Sequence, residues 1–587
     1  MCGIFCVASS APFKIYSREI YLKNGIRRDI EENDISEVKK TVSLMDGRGE
    51  TSNQITINNS VYMYHRRLPI NDFSKGGNQP FISSNVFCII NGEIYNYKEL
   101  KESLSDFNYK WRGSSDCEVL IPLYMKFGTQ FVNQLRGMFS FVLYDSYKKL
   151  LISGRDHLGM TSLYMGTYAH GLMFSSELKC LTPYCENISN VEAGTIIIKS
   201  FKKDEDGHIP AHNTFKYVAG GNKSLWRTDN CNIKDLKPYS NIVLEELRNK
   251  MIASVKSHLN SDAKIGVLLS GGLDSSIVAA IVARLIETKE VSIDKLKTFT
   301  IGVENSTDIL AADKVASHIN SEHTAYNFDA EDAITVLEDV IYSIETYDIT
   351  TIRASIPLYI LSSWIKEDTD IKVILSGEVS DEIFAGYSYF KYAPNEEELF
   401  QETKDKVNML QRYDCLRAHK STVSNTIELR VPFGDYLIVD YVMNLHPSCK
   451  MYDFNKDKEI EKYILREAFK DWLPDEIVWR KKEQFSDGVS SEKENVIDTL
   501  KKHAEEVISD EEFNNRESLY PINTPSTKEG LLYYKIFISK FKGKGLESAI
   551  KTVDHNINSI ACSTERALRW MNIPKGSDKI DPSGRIE

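Results

Sequence analysis

The sequence of 587 residues contains no apolar run that approaches the roughly 20 residues needed to cross a bilayer. Its 10 cysteines form no CxxC pair and no Cys/His cluster with zinc spacing, so we expect reduced thiols. It has no run of Lys and Arg, and its net charge of −12 argues against nucleic acid as a partner. The opening MCGIFCVASS lacks the basic and long apolar stretches of a secretory signal. These absences predict a cytoplasmic protein without a nucleic-acid partner and without a membrane segment.

The hydrophobic pattern divides the chain into regions of different texture. Residues 1–200 contain short β-type runs separated by Gly, Asn and Asp, which predicts stacked antiparallel sheets with flanking helices. Residues 201–240 are polar and are typical of a linker. In residues 241–555 strands alternate with helices, which predicts a doubly wound parallel sheet followed by a helical part. We therefore expect two domains, of α+β and α/β class, and a C-terminal tail at residues 556–587.

Cys2 is a candidate nucleophile because it directly follows the initiator Met. A small second residue usually permits removal of Met1, which would place a thiol and a free α-amine on one residue. The thiolate is the reactive form of cysteine, and an α-amine with a pKa of about 7.7–8.0 can act as its base. The alternative interpretation is a small core cysteine near an unimportant terminus.

Another candidate site is the segment KIGVLLSGGLDSSIVAA (264–280), in which an apolar strand, a Ser/Gly turn and a helix follow one another. Backbone N–H groups at the start of such a helix bind anions, and Gly271 and Gly272 would let the backbone approach a phosphate closely. The segment lacks GxxxxGK[ST] and is therefore not a Walker A loop. A strand–helix turn without a ligand is the alternative.

A second loop, LSGEVSDEIFAGY (375–387), also follows an apolar strand. In an open parallel sheet ligands bind beyond the carboxyl ends of the strands, so we expect both loops to face one cleft. Asp274 and Asp381 would then offer the hard oxygen ligands that Mg²⁺ prefers. A solvated acidic loop is the alternative for the carboxylates at 378–382.

Six segments of the N-terminal region occur in order: MCGIF (1–5), RRLPIN (66–71), NGEIYNY (91–97), SSDCEVL (114–120), GMFSFVLYD (137–145) and RDHLG (155–159). This set resembles the glutaminase domain of class II amidotransferases, whose nucleophile is the N-terminal residue. The resemblance implies that Cys2 attacks glutamine while the Asn91 side chain and the Gly92 N–H stabilise the oxyanion. It also implies that Arg67 binds the glutamine carboxylate and that acidic residues hold its ammonium group. The implied glutamine-binding residues are Arg67, Leu68, Pro69, Ile70, Asn71, Asn91, Gly92, Glu93 and Asp116.

In the C-terminal region the two loops occur together with IETYDITTIRAS (344–355), ELRVPF (428–433), ILREAF (464–469) and WRKKEQFSDGV (479–489). With the tail segments ACSTERALRW and DPSGR, they resemble asparagine synthetase over almost the whole chain, apart from residues 9–38. The resemblance implies that ATP activates aspartate as β-aspartyl-AMP with release of pyrophosphate. Ammonia from glutamine then displaces AMP, and glutamate is the by-product.

The same resemblance implies a set of residues for the second reaction. The implied ATP-binding residues are Leu268, Ser270, Gly271, Gly272, Asp274, Ser275, Ile301, Ser376 and Gly377. Catalytic roles are implied for Glu378, Arg353 and Lys482. ATP is implied as a substrate and Mg²⁺ as a cofactor held by Asp274 and Asp381. Association of two copies of the chain as a homodimer is a further possibility.

The sequence departs from the family pattern at several positions. RHRGPD is replaced by DGRGET at residues 46–51, which places carboxylates near a site expected to bind a carboxylate. Arg66, in place of the usual Glu, would offset part of that charge. Ser162 replaces a Pro, and Ala325 stands where an acidic residue is common. Val379 replaces the first Gly of GEGSDE, which would be strained if that residue has a positive φ.

These departures keep three alternatives open. The first is a synthetase with an impaired glutaminase half that uses free ammonia. The second is a related ATP-dependent enzyme that forms a β-lactam, although such relatives generally lack the N-terminal cysteine. The third is a non-catalytic homologue that binds ATP or glutamine.

Overall fold

The computed structural model describes residues 1–11, 35–168, 171–203, 209–217, 240–452, 460–482, 488–491, 495–553 and 564–572. Most of the expected insertion at 9–38, of the expected linker and of the expected tail lies outside these ranges. The chain divides into two compact units. The first comprises Met1–Gln134, Met138–Tyr217 and Phe541–Thr552, and the second comprises Leu135–Gly137, Val218–Lys540 and Val553–Glu587.

The first unit contains two six-stranded sheets. Its strands are β1 Gly3–Ser9, β2 Thr51–Ile57, β3 Val61–Arg67, β4 Phe81–Ser83, β5 Val86–Ile94, β6 Gly137–Asp145, β7 Leu150–Arg155, β8 Tyr164–Tyr168, β9 Gly171–Ser175, β10 Ile188–Asn190, β11 Thr195–Ser200 and β12 Asn213–Lys216. One sheet has the order β10-β8-β9-β1-β3-β2 and the other β12-β11-β7-β6-β5-β4. Pairing is antiparallel, as between β1 and β3 and between β6 and β7, which confirms the prediction from the sequence.

Side chains from both sheets form one hydrophobic core. Ile4 of β1, Ile89 of β5 and Val142 of β6 belong to this cluster and are fully buried. All seven residues of β1 are buried. The strand is central in its sheet, and the helical segment Thr41–Arg48 also packs against it. Two sheets that share a core in this way form a sandwich.

The boundary of the first unit differs from the expectation of a linker at residues 201–240. Strand β12 pairs with β11, so this unit extends to Tyr217. All four residues of β12 are exposed, and an edge strand without a buried face gives no alternating pattern in the sequence. The segment Phe541–Thr552, expected in the second domain, also belongs to the first unit. Its Ser548 hydroxyl accepts a hydrogen bond from the Ile188 N–H at 2.7 Å.

The second unit is built on a five-stranded parallel sheet, as predicted. Its strands are β13 Ile265–Leu268, β14 Lys297–Gly302, β15 Glu322–Asn327, β16 Val373–Leu375 and β17 Glu428–Arg430, in the order β15-β14-β13-β16-β17. From β13 the chain continues to β14 and β15 on one side of the sheet and then to β16 and β17 on the other side. The direction in which strands follow one another therefore reverses between β13 and β16. In doubly wound sheets this switch point is where ligands bind.

Both units also contain α-helices. In the first unit they are Ile35–Lys40, Tyr97–Ser103, Leu120–Phe127 and, up to Thr552, Leu546–Val553. In the second unit they are Asn241–His258, Leu273–Glu287, Thr307–His318, Asp332–Ile344, Ile349–Asp368, Ser380–Phe384, Glu396–Met409, Asp414–Val423, Tyr436–Asn444, Tyr463–Phe469, Asp475–Val478, Val496–Val507, Asp510–Asn514, Arg516–Leu519, Lys528–Lys540 and Glu565–Trp570. None of the helices in the described ranges has the length and hydropathy that a membrane crossing requires.

Candidate active sites

The backbone of Cys2 is held in place at the start of β1 by a buried arginine. Arg48 donates a hydrogen bond to the Cys2 carbonyl at 3.0 Å and another to the Ser162 hydroxyl at 3.2 Å, and it forms an ion pair with Glu177. The Cys2 thiol lies 3.8 Å from the Leu68 carbonyl. The hydroxyl at Ser162, where the family has Pro, therefore gives Arg48 an additional partner. These contacts fix the position of Cys2, the candidate nucleophile.

Asn91 and Gly92 lie together on β5. Asn91 is 0% exposed, and within the described part of the chain neither its carboxamide oxygen nor its nitrogen has a hydrogen-bond partner. A buried amide without a partner is costly unless a ligand uses it. Gly92 has φ 138°, and a Cβ there would lie 2.0 Å from the Met138 carbonyl oxygen, so only glycine fits. The Asn91 amide therefore offers a hydrogen-bond donor to a ligand, as stabilisation of an oxyanion requires.

The Cys117 thiol lies among the residues expected to bind glutamine. It donates to the Gly92 carbonyl at 3.3 Å and contacts Asp116 at 3.5 Å. Burial raises the pKa of Cys117 well above its usual range, and the negative charges of Asp116, Glu93 and Cys2 add to that effect. The two contacts place the Cys117 thiol beside Gly92 and Asp116, two of the residues expected to bind glutamine. The sequence analysis did not single out Cys117.

The loop that follows β3 carries the other predicted glutamine residues. Arg67 donates to the Ser74 carbonyl at 2.9 Å and to the Asn78 side chain at 2.7 Å, so its guanidinium holds the loop in place. The Asn71 amide donates to Glu93 at 2.6 Å. Leu68 and Ile70 are buried beside them. Asp72, which sequence reasoning missed, accepts from the Ser114 N–H at 2.8 Å and ties this loop to the segment that carries Asp116.

The charge introduced at residues 46–51 has a partner in the structure. Arg66 forms an ion pair with Asp46 at 3.4 Å and donates to the Gly49 carbonyl at 2.9 Å. The Asp46 side chain is 59% exposed, so solvent screens much of its charge. This pairing supports the expectation that Arg66 offsets part of the altered charge.

The loops after β13 and β16 are in direct contact. A Cβ added at Gly377 would lie 2.6 Å from the Ser275 N–H, so the backbones of the two loops nearly touch. Gly271 has φ 69°, and a Cβ there would lie 2.4 Å from Ala311. The Ser270 and Ser275 hydroxyls are 3.1 Å apart at the start of helix Leu273–Glu287. The expectation that both loops face one cleft is thus confirmed.

A cavity at this switch point of the sheet collects most of the predicted synthetase residues. Those that line it are Leu268, Ser270, Gly272, Asp274, Ser275, Ser376, Gly377, Glu378, Asp381 and Lys482. Those that do not line it are Gly271, Ile301 and Arg353. Further lining residues that the sequence analysis did not assign include Asp414, Arg417, Lys462 and Arg480.

The placement of Arg353 differs from the expected catalytic position. Its guanidinium forms two hydrogen bonds with Glu529, at 2.8 and 2.5 Å, and Tyr533 donates to the same carboxylate at 2.8 Å. Arg353 is only 2% exposed. A guanidinium engaged in this way secures helix Ile349–Asp368 and does not reach the cavity. Ile301 is likewise buried within β14, at 1% exposure, and does not line the cavity.

Acidic residues in the cavity are paired with cations. Lys462 lies 2.6 Å from both Asp274 and Asp381, and Lys482 lies 2.9 Å from Asp381. Burial alone would raise the pKa of Asp381, but the two lysines hold it well below its usual range. Burial opposes the charge on Lys482, yet Asp381 and Asp274 raise its pKa above the usual range. Both groups are therefore charged at neutral pH.

A second ion-paired group surrounds Glu378. Arg417 contacts Glu378 at 2.7 Å and Asp414 at 2.8 Å. Burial raises the pKa of Glu378, although Arg417 opposes that shift. Burial and the charges of Asp414 and Asp381 raise the pKa of Glu382 further. Arg417 lies in a helical segment far along the chain, and no motif in the sequence marked it.

The two aspartates fit Mg²⁺ in the type of ligand they offer, because both are hard carboxylate oxygens. Among the residues that the structure describes, no three His, Cys, Asp or Glu side chains gather as a metal site. A metal between Asp274 and Asp381 would therefore take its other ligands from ATP and water. It would also have to occupy the position where the Lys462 ammonium now bridges the pair.

Comparisons with known proteins agree with this arrangement. A model of the glutamine amidotransferase domain matches residues 24–231, and a model of asparagine synthase matches residues 246–404 and 394–556. Asparagine synthetase B [glutamine-hydrolyzing] of Escherichia coli K12 is 41% identical over 572 residues, which cover 95% of this chain and 97% of that protein.

Plant relatives are similarly close. The glutamine-hydrolyzing asparagine synthetase of Triphysaria versicolor is 41% identical, covering 92% of this chain and 88% of that protein. Asparagine synthetase 2 of Oryza sativa subsp. japonica is 39% identical, covering 100% and 92%. A solved glutamine phosphoribosylpyrophosphate amidotransferase from B. subtilis matches with a TM-score of only 0.28 at 16% identity over 56% of this chain and 65% of that one, which carries no argument. The full-length matches show that this chain belongs to the family of glutamine-hydrolysing asparagine synthetases.

Proposed function

We propose that this protein makes asparagine from aspartate with glutamine as nitrogen donor, and that it converts ATP to AMP and pyrophosphate. The observation that carries the proposal is the contact between the two loops at the switch point of the parallel sheet, beside Glu378 and Lys482. A Ser/Gly loop that begins a helix binds phosphate through its backbone N–H groups. The family relationship supplies the substrates.

In the first unit, the Cys2 thiolate attacks the glutamine carboxamide. The carbonyl oxygen becomes an oxyanion, which the Asn91 side chain and the Gly92 N–H stabilise. Collapse of this intermediate forms a glutamyl thioester and releases ammonia, and water then hydrolyses the thioester to glutamate. Met1 is buried at 2% exposure, and its removal gives Cys2 the α-amine that serves as base.

In the second unit, the β-carboxylate of aspartate attacks the α-phosphorus of ATP and pyrophosphate leaves. Ammonia then attacks the acyl carbon of β-aspartyl-AMP, and AMP leaves. Lys482 lines the cavity 2.9 Å from Asp381, and with ATP bound there its charge would stabilise the negative charge that increases on the phosphates in the first step. Bound Mg²⁺, held by Asp274 and Asp381, would neutralise charge on the departing pyrophosphate.

Glu378 is suited to the second step. Attack by ammonia creates a positively charged nitrogen that must lose a proton before AMP leaves. A carboxylate whose pKa is raised by burial is a better proton acceptor than an exposed one. Its ion pair with Arg417 at 2.7 Å fixes its orientation in the cavity.

The free thiols fit the proposed cytoplasmic location. All eight cysteines in the described ranges are free, and seven of them are buried. Reducing compartments keep cysteines in this state. Intact-mass measurement of the purified protein checks both the reduced thiols and the loss of Met1.

The decisive experiment supplies aspartate, ATP and glutamine to the purified protein and measures asparagine, AMP, pyrophosphate and glutamate. We expect AMP and pyrophosphate in equal amounts, dependent on aspartate. Production of ADP instead of AMP contradicts the proposal. Pyrophosphate release that needs aspartate excludes a non-catalytic homologue.

A second candidate is a synthetase with an impaired glutaminase half, which the altered residues 46–51 favour. Replacing glutamine by ammonium chloride in the same assay separates the two. Equal asparagine production from both donors rejects the impaired form.

A further inference from the structure

The two carboxylates proposed as metal ligands are already joined by a cation from the chain. The Lys462 ammonium lies 2.6 Å from an oxygen of Asp274 and 2.6 Å from an oxygen of Asp381. Their remaining oxygens are also engaged, because Ser380 donates to Asp274 at 2.7 Å and Lys482 lies 2.9 Å from Asp381. Each of the four carboxylate oxygens thus lies within hydrogen-bond or ion-pair distance of a protein hydroxyl or ammonium group.

The position of Lys462 is built into the fold. Its side chain is 1% exposed, and its backbone has φ 54° directly before helix Tyr463–Phe469. A Cβ at Gly386 would lie 2.1 Å from the Lys462 Cε, so the absence of a side chain there makes room for the lysine stem. A buried lysine held by two carboxylates differs from a surface lysine, which exchanges partners freely with water.

We infer that Lys462 excludes the divalent cation from Asp274 and Asp381 until a nucleotide arrives, so that metal and nucleotide bind together. This inference rests on the proposed function of the site. Mg²⁺ binds oxygen at about 2.0–2.1 Å, and an ammonium on the same oxygens leaves no space for it and repels it. A triphosphate offers anionic oxygens as new partners for the three N–H donors of the ammonium. The lysine then releases the aspartates to the metal.

The test measures binding of Mn²⁺, which also prefers carboxylate oxygen, to the purified full-length protein by the electron paramagnetic resonance signal of free Mn²⁺. Without nucleotide, we expect the unaltered protein to show no stoichiometric site. With α,β-methylene-ATP, which cannot be cleaved at the α-phosphorus, we expect one bound Mn²⁺ per chain. The Lys462→Met variant should bind one Mn²⁺ without nucleotide, at least tenfold more tightly than the unaltered protein.

Matched variants separate this effect from a general change of charge. Lys314→Met removes a lysine that contacts Glu476 at 2.6 Å on the exposed surface, and it should gain no Mn²⁺ site. Lys462→Arg keeps the cation and should also gain none. Adding Asp274→Asn to Lys462→Met should remove the new site.

Two outcomes overturn the inference. One is a stoichiometric site that depends on Asp274 in the nucleotide-free, unaltered protein, and this outcome is decisive even if Lys462→Met does not fold. The other is a folded Lys462→Met variant that binds no more Mn²⁺ without nucleotide than Lys314→Met does. If either result accompanies aspartate-dependent pyrophosphate release, only the role of Lys462 is wrong. If that release is absent as well, the proposed function fails.

Discussion

Val379 adopts φ 76°, in the left-handed region that β-branched residues rarely occupy, and it is 2% exposed. The sequence indicated where strain would arise, because Val replaces a Gly of the family pattern beside Glu378. It could not give the backbone angle, which depends on how β16 leads into helix Ser380–Phe384. Strain of this kind costs about 1–3 kcal/mol and persists only where the surroundings enforce it.

A pair of substitutions at Val379 measures this strain. Both Val379→Gly and Val379→Ala lose the buried side chain, but only glycine tolerates a positive φ. We expect Val379→Gly to be more stable than Val379→Ala by about 1 kcal/mol in denaturant unfolding. Val278 is buried inside helix Leu273–Glu287. There we expect the alanine variant to be more stable than the glycine variant by a similar amount, because glycine is disfavoured within a helix. The same order at both positions would argue against strain at Val379.

His65 gives the first unit a pH-dependent stability. Burial lowers the pKa of His65 to about 3, and the charge of Arg67 adds to that shift. In the unfolded chain a histidine takes up a proton near pH 6.5, whereas the folded one stays neutral. The unfolded state therefore binds more protons below pH 6.5, and the free energy of unfolding falls as the pH falls.

We expect this loss to reach about 1.4 kcal/mol per pH unit between pH 6.5 and pH 5. His65→Gln removes the titrating group, so its thermal unfolding midpoint should depend less steeply on pH in this window. His212→Gln, at a partly exposed histidine of the same unit, serves as the control and should keep the original slope. Equal slopes in all three proteins would contradict the prediction.

At the level of elements, the sequence predicted best where a local pattern repeats along one segment. The apolar run of β13 and the Ser/Gly turn after it predicted a strand followed by a turn and a helix, and the structure has this order. Strand β12 was missed because an exposed edge strand carries no such pattern. The ion pair between Arg417 and Glu378 joins residues 39 positions apart, and only the packed structure could show it.

Helix Glu565–Trp570 shows a tail element whose role the sequence did not reveal. Arg566 contacts Glu398, Glu402 and Asp405 at 3.4, 3.2 and 2.9 Å. Trp570 donates to Glu398 at 3.1 Å. The segment thereby docks on helix Glu396–Met409, where Glu402 is only 1% exposed.

Removing the Arg566 side chain should loosen this docking. Arg566→Ala leaves the buried Glu402 with one partner fewer, so we expect a loss of about 1.5–3 kcal/mol in the stability of this region. Arg569→Ala removes the same charge from an exposed position of the same helix and should change stability by less than about 0.5 kcal/mol. Thermal unfolding, with limited proteolysis of the tail, measures both. Equal effects would mean that net charge, not docking, is responsible.

On the scale of the whole molecule, the two candidate sites lie in separate compact units, each with its own sheets. The sequence predicted a division into two domains, and most of the residues predicted for the synthetase reaction line the cavity of the second unit. It did not predict the ion pair between Lys462 and Asp274, or the ion pair that holds Arg353 at Glu529 and away from the cavity. Both depend on which charged side chains meet after folding. Paired charges of this kind are set by the packing of distant segments rather than by local spacing.

Since the residues proposed for each reaction lie in one unit, single substitutions should separate the two activities. Cys2→Ala removes the proposed nucleophile, so glutamine-dependent asparagine synthesis should fall by at least about 10³-fold while ammonia-dependent synthesis continues. Asp274→Ala should abolish synthesis from both donors, because ATP is needed in each case. Cys180→Ala, at a buried thiol of the first unit that contacts the Thr41 carbonyl at 3.4 Å, should preserve both activities. Glutamine-dependent synthesis that survives in Cys2→Ala would show that a residue other than Cys2 attacks glutamine.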